Sequence, residues 1–196
     1  MTQTTIYLIR HCEYENPQRV VPGRMPGFPL SIKGKKNAKL LANYFKNKKI
    51  VAVYSSPILR TKQTAEIIAS ELNLKVLASP LLKETKSPYQ GISLEKFFKL
   101  KNDVFFQKKH IEGGGESIEE IKARMKKFIN EILEKHYNSK VIIVSHGDPI
   151  MIYTITLAEG KVKMLKKRKD YVPKGGIFKL VFNEDKKLKS FYPIDY

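Results

Sequence analysis

Short apolar runs alternate with amphipathic stretches along most of the chain. The run Thr5 to Ile9 is apolar almost throughout and predicts a strand buried on both faces. An irregular, Pro- and Gly-rich stretch over 12–30 follows, and then Ala38, Leu41, Ala42 and Phe45 at helical spacing predict an amphipathic helix from about Ser31 to Lys46. A strand is predicted over 50–54. Ser56-Pro57 reads as an N-cap with proline in the first helical position, opening a helix to about Leu72, with a short strand at 75–77 beyond it. Residues 80–115 are less regular and end in Gly113-Gly-Gly115; Ser117 and Glu120 then read as a capping box for a helix over about 118–136. Its inward face would carry Ile121, Met125, Phe128, Ile132 and Leu133. A strand at Val141 to Val144 precedes Asp148-Pro149, which repeats the cap-then-proline pattern and predicts another helix. After a basic stretch over 160–174, Ile177 to Phe182 and Leu188 to Tyr192 flank a turn at Asn183-Glu-Asp185 and read as a hairpin at a sheet edge.

Strands alternating with helices predict an α/β fold with a helix-covered, mainly parallel sheet. The length of 196 residues and 42% hydrophobic content fit one domain over 1–196, with 85–115 as a candidate lid or specificity insertion. No apolar run approaches the roughly 20 residues of a membrane span, and the start lacks a basic segment followed by an apolar one, so a cytoplasmic protein with no membrane partner is expected. Cys12 is the only cysteine, which excludes an internal disulfide and any multi-cysteine metal site. The formal charge of +18 would attract polyanions, nucleic acid among them. Lysine carries most of it and is spread along nearly every predicted helix, as on a solvated face. The clusters Lys96 to Lys109 and Lys161 to Lys169 read the same way, although either could flank the route of an anionic substrate. Nucleic acid is therefore the weaker partner candidate, behind a small phosphorylated substrate.

Two of the four histidines close predicted strands, in Arg10-His11 and in Ser145-His146-Gly147. The carboxyl ends of parallel strands form the ligand crevice of an open α/β sheet, so these positions point to a site. Arg60 falls about one turn inside the helix opened by Ser56, near the end whose amides and dipole favour an anion. A phosphoryl group in transfer spreads negative charge over three oxygens, which two guanidiniums and a histidine donor can meet with charge-assisted hydrogen bonds. His11 would then be the nucleophile, since neutral imidazole is competent at pH 7 and a phosphohistidine divides hydrolysis into two easier steps. Glu84, just after a predicted strand, is the nominee for protonating the leaving alkoxide and then activating water. His11-Cys12 followed by Arg19 resembles the loop of cysteine-dependent phosphatases. The gap is one residue too long, holds no glycine and carries two glutamates, so Cys12 reads as a packed residue. His110, His136 and Arg124 read as structural, and Arg24 as either a substrate contact or a loop brace. Phe97-Phe98 and Phe105-Phe106 would form a lid over a bulky substrate, or would belong to two short helices burying their rings.

The segments LIRHCEYEN, PLSIKGKKNAKLLA, SSPILRTKQTAEII, LLKE followed by YQG, GGGESIEEIKAR and VIIVSHGDPI occur in that order over about residues 5–155. As an ordered set they resemble the histidine phosphatase superfamily, the phosphoglycerate mutase-like proteins, on its phosphatase branch. The resemblance implies a three-layer α/β/α sandwich, phosphorylation of His11, a phosphate pocket of Arg10, Arg60 and His146, and Glu84 as proton donor. Asn16 and Gly147 are the further phosphate contacts expected, with Tyr14 and Arg24 as substrate contacts and neither a metal nor an organic cofactor. Cys12 and Tyr14 stand where that family usually has glycine and Ser or Thr. The expectation is a metal-independent phosphomonoesterase. The alternatives are a phosphoglycerate-type mutase, a catalytically degenerate binder of phosphorylated or polyanionic ligands, and, further behind, a Cys12-dependent phosphatase. No adjacent arginine pair occurs in the 85–115 region to hold a phosphoglycerate carboxylate.

Overall fold

Strand β1 (Thr4–Arg10) sends Ile6 and Leu8 to one side of a sheet and Tyr7 and Ile9 to the other, and helices cover both sides. The computed structural model describes residues 2–100, 104–163 and 171–196. Helix α1 (Ile32–Phe45), strand β2 (Ile50–Ser55), helix α2 (Leu59–Glu71) and strand β3 (Val76–Ala78) follow β1. Two short helices, α3 (Leu94–Phe98) and α4 (Lys108–Glu112), precede the long α5 (Ile118–Lys135). Strand β4 (Lys140–Ser145), helix α6 (Gly147–Glu159) and the hairpin β5 (Ile177–Phe182) and β6 (Leu188–Ile194) complete the order. The strands lie in the sequence β3-β2-β4-β1-β5-β6, parallel from β3 to β1 and antiparallel for β5 and β6.

Burial on both faces explains the continuous apolar runs of β1 and β4. Ala38, Leu41, Ala42 and Phe45 of α1 and Ala65 and Ile68 of α2 pack on Tyr7, Ile9, Ile142 and Val144. Ile121, Met125, Phe128, Ile129 and Ile132 of α5 and Ile150 of α6 pack on Ile6, Leu8, Val141 and Ile143 opposite. The result is the three-layer α/β/α sandwich. Helix α5 begins with the expected capping box: Ser117 Oγ accepts the Glu120 amide at 3.2 Å, and Glu120 Oε2 accepts the Ser117 amide at 2.8 Å.

Two helix starts differ from expectation. Helix α2 begins at Leu59 with Ile58 as its N-cap, because the Ser56 hydroxyl accepts the Ile58 amide in a tight turn and also lies 3.0 Å from His146 Nε2. Helix α6 begins at Gly147 with His146 as its N-cap, so Asp148 sits inside the first turn, where its carboxylate accepts the Tyr171 hydroxyl at 2.6 Å instead of capping.

The irregular region is joined to the loop after β1. Val21 donates to Ile92 O at 2.8 Å, Gly91 to Val21 O at 2.9 Å and Leu94 to Arg19 O at 2.7 Å, so the two segments form one rim above the sheet. The phenylalanine pairs are divided: Phe105 is buried and Phe97 half-buried, whereas Phe98 and Phe106 are exposed. Part of the first lysine cluster (101–103) and most of the second (164–169) lie outside the described residues.

The first turn of α1 packs directly on the loop that follows His11. Ser31 N donates to Glu13 O at 3.1 Å, and a Cβ on Gly34 would collide with that same carbonyl. Alanine ordinarily favours a helix interior by about 1 kcal/mol over glycine. Here backbone must move to admit the methyl group, so Gly34→Ala is expected to destabilise the fold by about 1–3 kcal/mol in urea titration.

Candidate active site

Parallel pairing of β1 with β4 sets Arg10 opposite Ser145, so the next residue on each strand is a histidine. The His11 amide donates to Ser145 O at 3.0 Å, and the two imidazoles meet edge to face with centroids 5.3 Å apart. Strand β2 ends alongside, with Ser55 opposite Val144, and delivers Arg60 from the first turn of α2. Arg60 is 1% exposed. Its Nε donates to His11 Nε2 at 3.2 Å, and its Nη2 donates to Gly23 O at 2.9 Å and lies 3.2 Å from His146 Nδ1. Its Nη1 is buried without a hydrogen-bond partner among the described residues. Arg10 Nη1 donates to Val172 O at 2.8 Å while the guanidinium carbon sits 5.3 Å over the Tyr171 ring, and Arg10 Nε is likewise buried and unpartnered. Two buried guanidinium donors without protein acceptors are costly unless an anion supplies the acceptors.

Protonation follows from burial. His11 Nδ1 lies 2.8 Å from Cys12 O, a bond that fixes the proton on Nδ1 and turns the Nε2 lone pair toward Arg60. Burial, reinforced by the Arg60 charge, holds His11 well below the usual histidine range, and the same two causes act in the same order on His146. Both rings are neutral at pH 7. The Ser56 hydroxyl beside His146 Nε2 can donate or accept, and so supports either tautomer of that ring. Glu84 follows a short 3-10 turn (Pro80–Leu82). Its Oε1 accepts the Thr85 amide at 2.8 Å, and its Oε2 lies 3.7 Å from His146 Nδ1 and 4.0 Å from Arg60 Nη2. Burial, with the Asp148 charge adding to it, pushes Glu84 up to about 7 against the opposing pull of Arg60.

These groups face a cleft of about 460 Å³. Arg10, His11, Tyr14, Arg60, Glu84, Asp148, Tyr171 and Lys174 line one end of it. Tyr14 stands against His11 at 5.3 Å and carries Lys174 Nζ 4.6 Å over its ring. Gly147 borders the site through its backbone, where any Cβ would collide with the Tyr171 hydroxyl. Two expected contacts point elsewhere. Asn16 Nδ2 donates to Val20 O and its Oδ1 accepts the Val20 amide, which closes its own loop. Arg24 Nε donates to Glu84 O at 2.6 Å and its Nη2 pairs with Glu116 at 2.9 Å, so it braces the Glu84 segment. Cys12 is fully buried in the core between the sheet and α1, with its thiol pushed up to about 12 by burial, which removes it as a nucleophile. His110 and His136 are structural: His110 Nε2 meets Glu116 O and His136 Nε2 meets the Tyr54 hydroxyl. Among the described residues no group of three His, Cys, Asp or Glu side chains is arranged to hold a metal ion. No helix among them is long and apolar enough to cross a membrane.

Four residues of the site were not singled out for it by sequence reasoning. Ser56, read as a helix cap, orients His146. Tyr171 supports Arg10 and is itself held by Asp148. Glu116 accepts from Arg24, from Arg124 at 2.6 Å and from the Lys86 amide, while Arg124 Nη1 donates to Leu81 O, so this one carboxylate fastens both flanks of Glu84. A half-buried carboxylate shared by two arginines distant in sequence leaves no local signature.

The family model of the histidine phosphatase superfamily (branch 1) matches residues 6–192. Phosphoserine phosphatase 1 of Hydrogenobacter thermophilus is 34% identical over 157 residues, covering 74% of this chain and 72% of that protein. The solved phosphoserine phosphatase of Entamoeba histolytica, in complex with 3-phosphoglyceric acid, is 25% identical and superposes with a TM-score of 0.76 over 96% of both chains. A phosphoglycerate mutase from Bacillus anthracis shares the fold at 20% identity, with a TM-score of 0.74 over 100% of this chain and 93% of that one. With nearly its whole length matched, the chain belongs to the histidine phosphatase superfamily.

Proposed function

We propose that this protein is a metal-independent phosphomonoester hydrolase that works through a phosphohistidine on His11. The observation that carries the reading is the pairing of a neutral imidazole, its Nε2 lone pair turned to Arg60 at the inner end of the cleft, with two arginines that each retain a buried, unused donor. A dianionic phosphoryl group supplies the acceptors they lack. Its relatives named as phosphoserine phosphatases support hydrolysis of small phosphorylated substrates as the class of reaction.

In the first step His11 Nε2 attacks phosphorus, the N–P bond forms and the ester P–O bond breaks. Arg10 and Arg60 stabilise charge on the equatorial oxygens. His146 donates from Nδ1, in the tautomer that Ser56 supports by donating to Nε2. Glu84, protonated near neutrality, gives its proton to the departing alkoxide. In the second step the Glu84 carboxylate takes a proton from water as the water oxygen attacks phosphorus, the N–P bond breaks, and His11 leaves neutral. Hydrolysis is favoured over phosphoryl return to a phosphoglycerate because Arg10, Arg60 and Lys174, the cations lining the cleft among the described residues, lie at its phosphoryl end.

Three measurements test this reading. In EDTA, His11→Ala is expected to abolish p-nitrophenyl phosphate hydrolysis while Cys12→Ala retains it; the opposite pattern overturns the assignment. Glu84→Gln is expected to lower kcat/KM for an alkyl phosphate by about 10²–10⁴-fold and for p-nitrophenyl phosphate by much less, since nitrophenolate leaves without a proton. The pH profile of kcat/KM is set by two signs. His11 must be neutral, so activity falls only as pH drops through its lowered pKa; Glu84 must be protonated, so activity also falls as pH rises through about 7. The alkaline limb is expected to disappear in Glu84→Gln, and its persistence there would assign the general acid to another group.

A further inference from the structure

The two ends of the cleft differ in chemistry. The inner end holds Arg10, Arg60, His11 and Lys174, whereas Val21, Leu94, Phe97, Phe98, Val104 and Phe105 give the rest of the lining a mainly apolar wall, with Thr85 and Ser87 as its neutral polar members. Phe98 is 66% exposed although it lines the cleft, and Phe97 is half-buried. A phenylalanine kept in water at the mouth of a site gains from covering apolar surface, not from folding. The wall is built firmly. Phe105 and Val104 belong to the core cluster, and the Leu94 amide is tied to Arg19 O on the opposite rim. No cation among the described residues lines the outer end. A carboxylate placed there would be stripped of water beside phenyl rings without a cationic partner, a loss that an alkyl or aryl group turns into a gain.

On this basis, and resting on the phosphatase reading above, we propose that the preferred substrates are phosphomonoesters with an apolar body, alkyl or aryl, rather than the carboxylate-bearing phosphates in the names of the relatives. The phosphoryl group would occupy the inner end while the alcohol carbon skeleton lies along Leu94, Phe97 and Phe105, with Phe98 closing over it. Leaving-group chemistry is unchanged along an unbranched alkyl series, so chain length reads the outer wall alone.

The test compares ethyl, butyl and hexyl phosphate with L-phosphoserine and 3-phosphoglycerate. The expected result is a rise in kcat/KM of about two- to fourfold per methylene. Hexyl phosphate should exceed both carboxylate-bearing substrates by roughly tenfold or more, given the cost of desolvating an unpaired carboxylate. Phe98→Ala, at an exposed position that leaves the core intact, should flatten the series by lowering hexyl phosphate turnover several-fold more than ethyl phosphate turnover. A flat series, or a preference for phosphoserine or 3-phosphoglycerate in an active enzyme, overturns this inference and leaves the hydrolase reading standing. Binding of ethyl-, butyl- and hexylphosphonate by calorimetry needs no turnover and separates the two readings. Affinity rising with chain length supports the apolar wall even if hydrolysis fails, and equal affinities overturn it even if hydrolysis succeeds.

Discussion

The buried guanidinium of Arg60 is the constraint on which the site depends. A cation taken out of water must be compensated, and the Glu84 carboxylate, 4.0 Å away, is held in a position that also favours its protonated form. The surrounding groups adjust to that charge. His11 and His146 stay neutral beside it, and the Gly23 carbonyl and His11 Nε2 take up part of its donor capacity. What remains is a preformed demand for an anion, built before any substrate arrives, and this is the form that electrostatic preorganisation takes here.

The positions of these charges are fixed by the sheet. Arg10 pairs with Ser145 of β4 and His11 follows one step beyond that pair, so neither histidine can move without slipping a ladder buried under helices on both sides. Glu84 is held differently. It lies on a loop whose flanks are tied to Glu116 through Arg24, Arg124 and the Lys86 amide, so the proposed acid is anchored to the start of α5 and not to a strand. The proposed nucleophile and the proposed acid thus sit on separate frames, brought together over Arg60.

Much of this was legible in the sequence where chemistry and periodicity coincide. The apolar runs of β1 and β4, the spacing of α1 and α5 and the Ser117 capping box are local, and each gave the right element. The helix starts at Ser56 and Asp148 were misread because capping rules assume that a side chain serves its own backbone. Here Ser56 meets His146 across the site and Asp148 takes the Tyr171 hydroxyl. The sequence names Asn16 as a phosphate contact and leaves Arg24 open between substrate contact and loop brace, because their partners, Val20 and the Glu84–Glu116 pair, are set by packing that no local pattern encodes. The division of the phenylalanine pairs between core and cleft mouth was open in the sequence for the same reason. Spacing predicts a short helix but not which ring the rim opposite it leaves uncovered.

The central claim is that phosphate passes through His11, and trapping it is the most direct test. Wild-type enzyme quenched in alkali within a single turnover of a 32P-labelled phosphomonoester should carry a label that survives base and is lost in mild acid, on the peptide containing His11, and that is missing from His11→Ala. Label on Cys12 or another residue, or a full turnover with no covalent intermediate in an enzyme that loses no activity on His11→Ala, would contradict it.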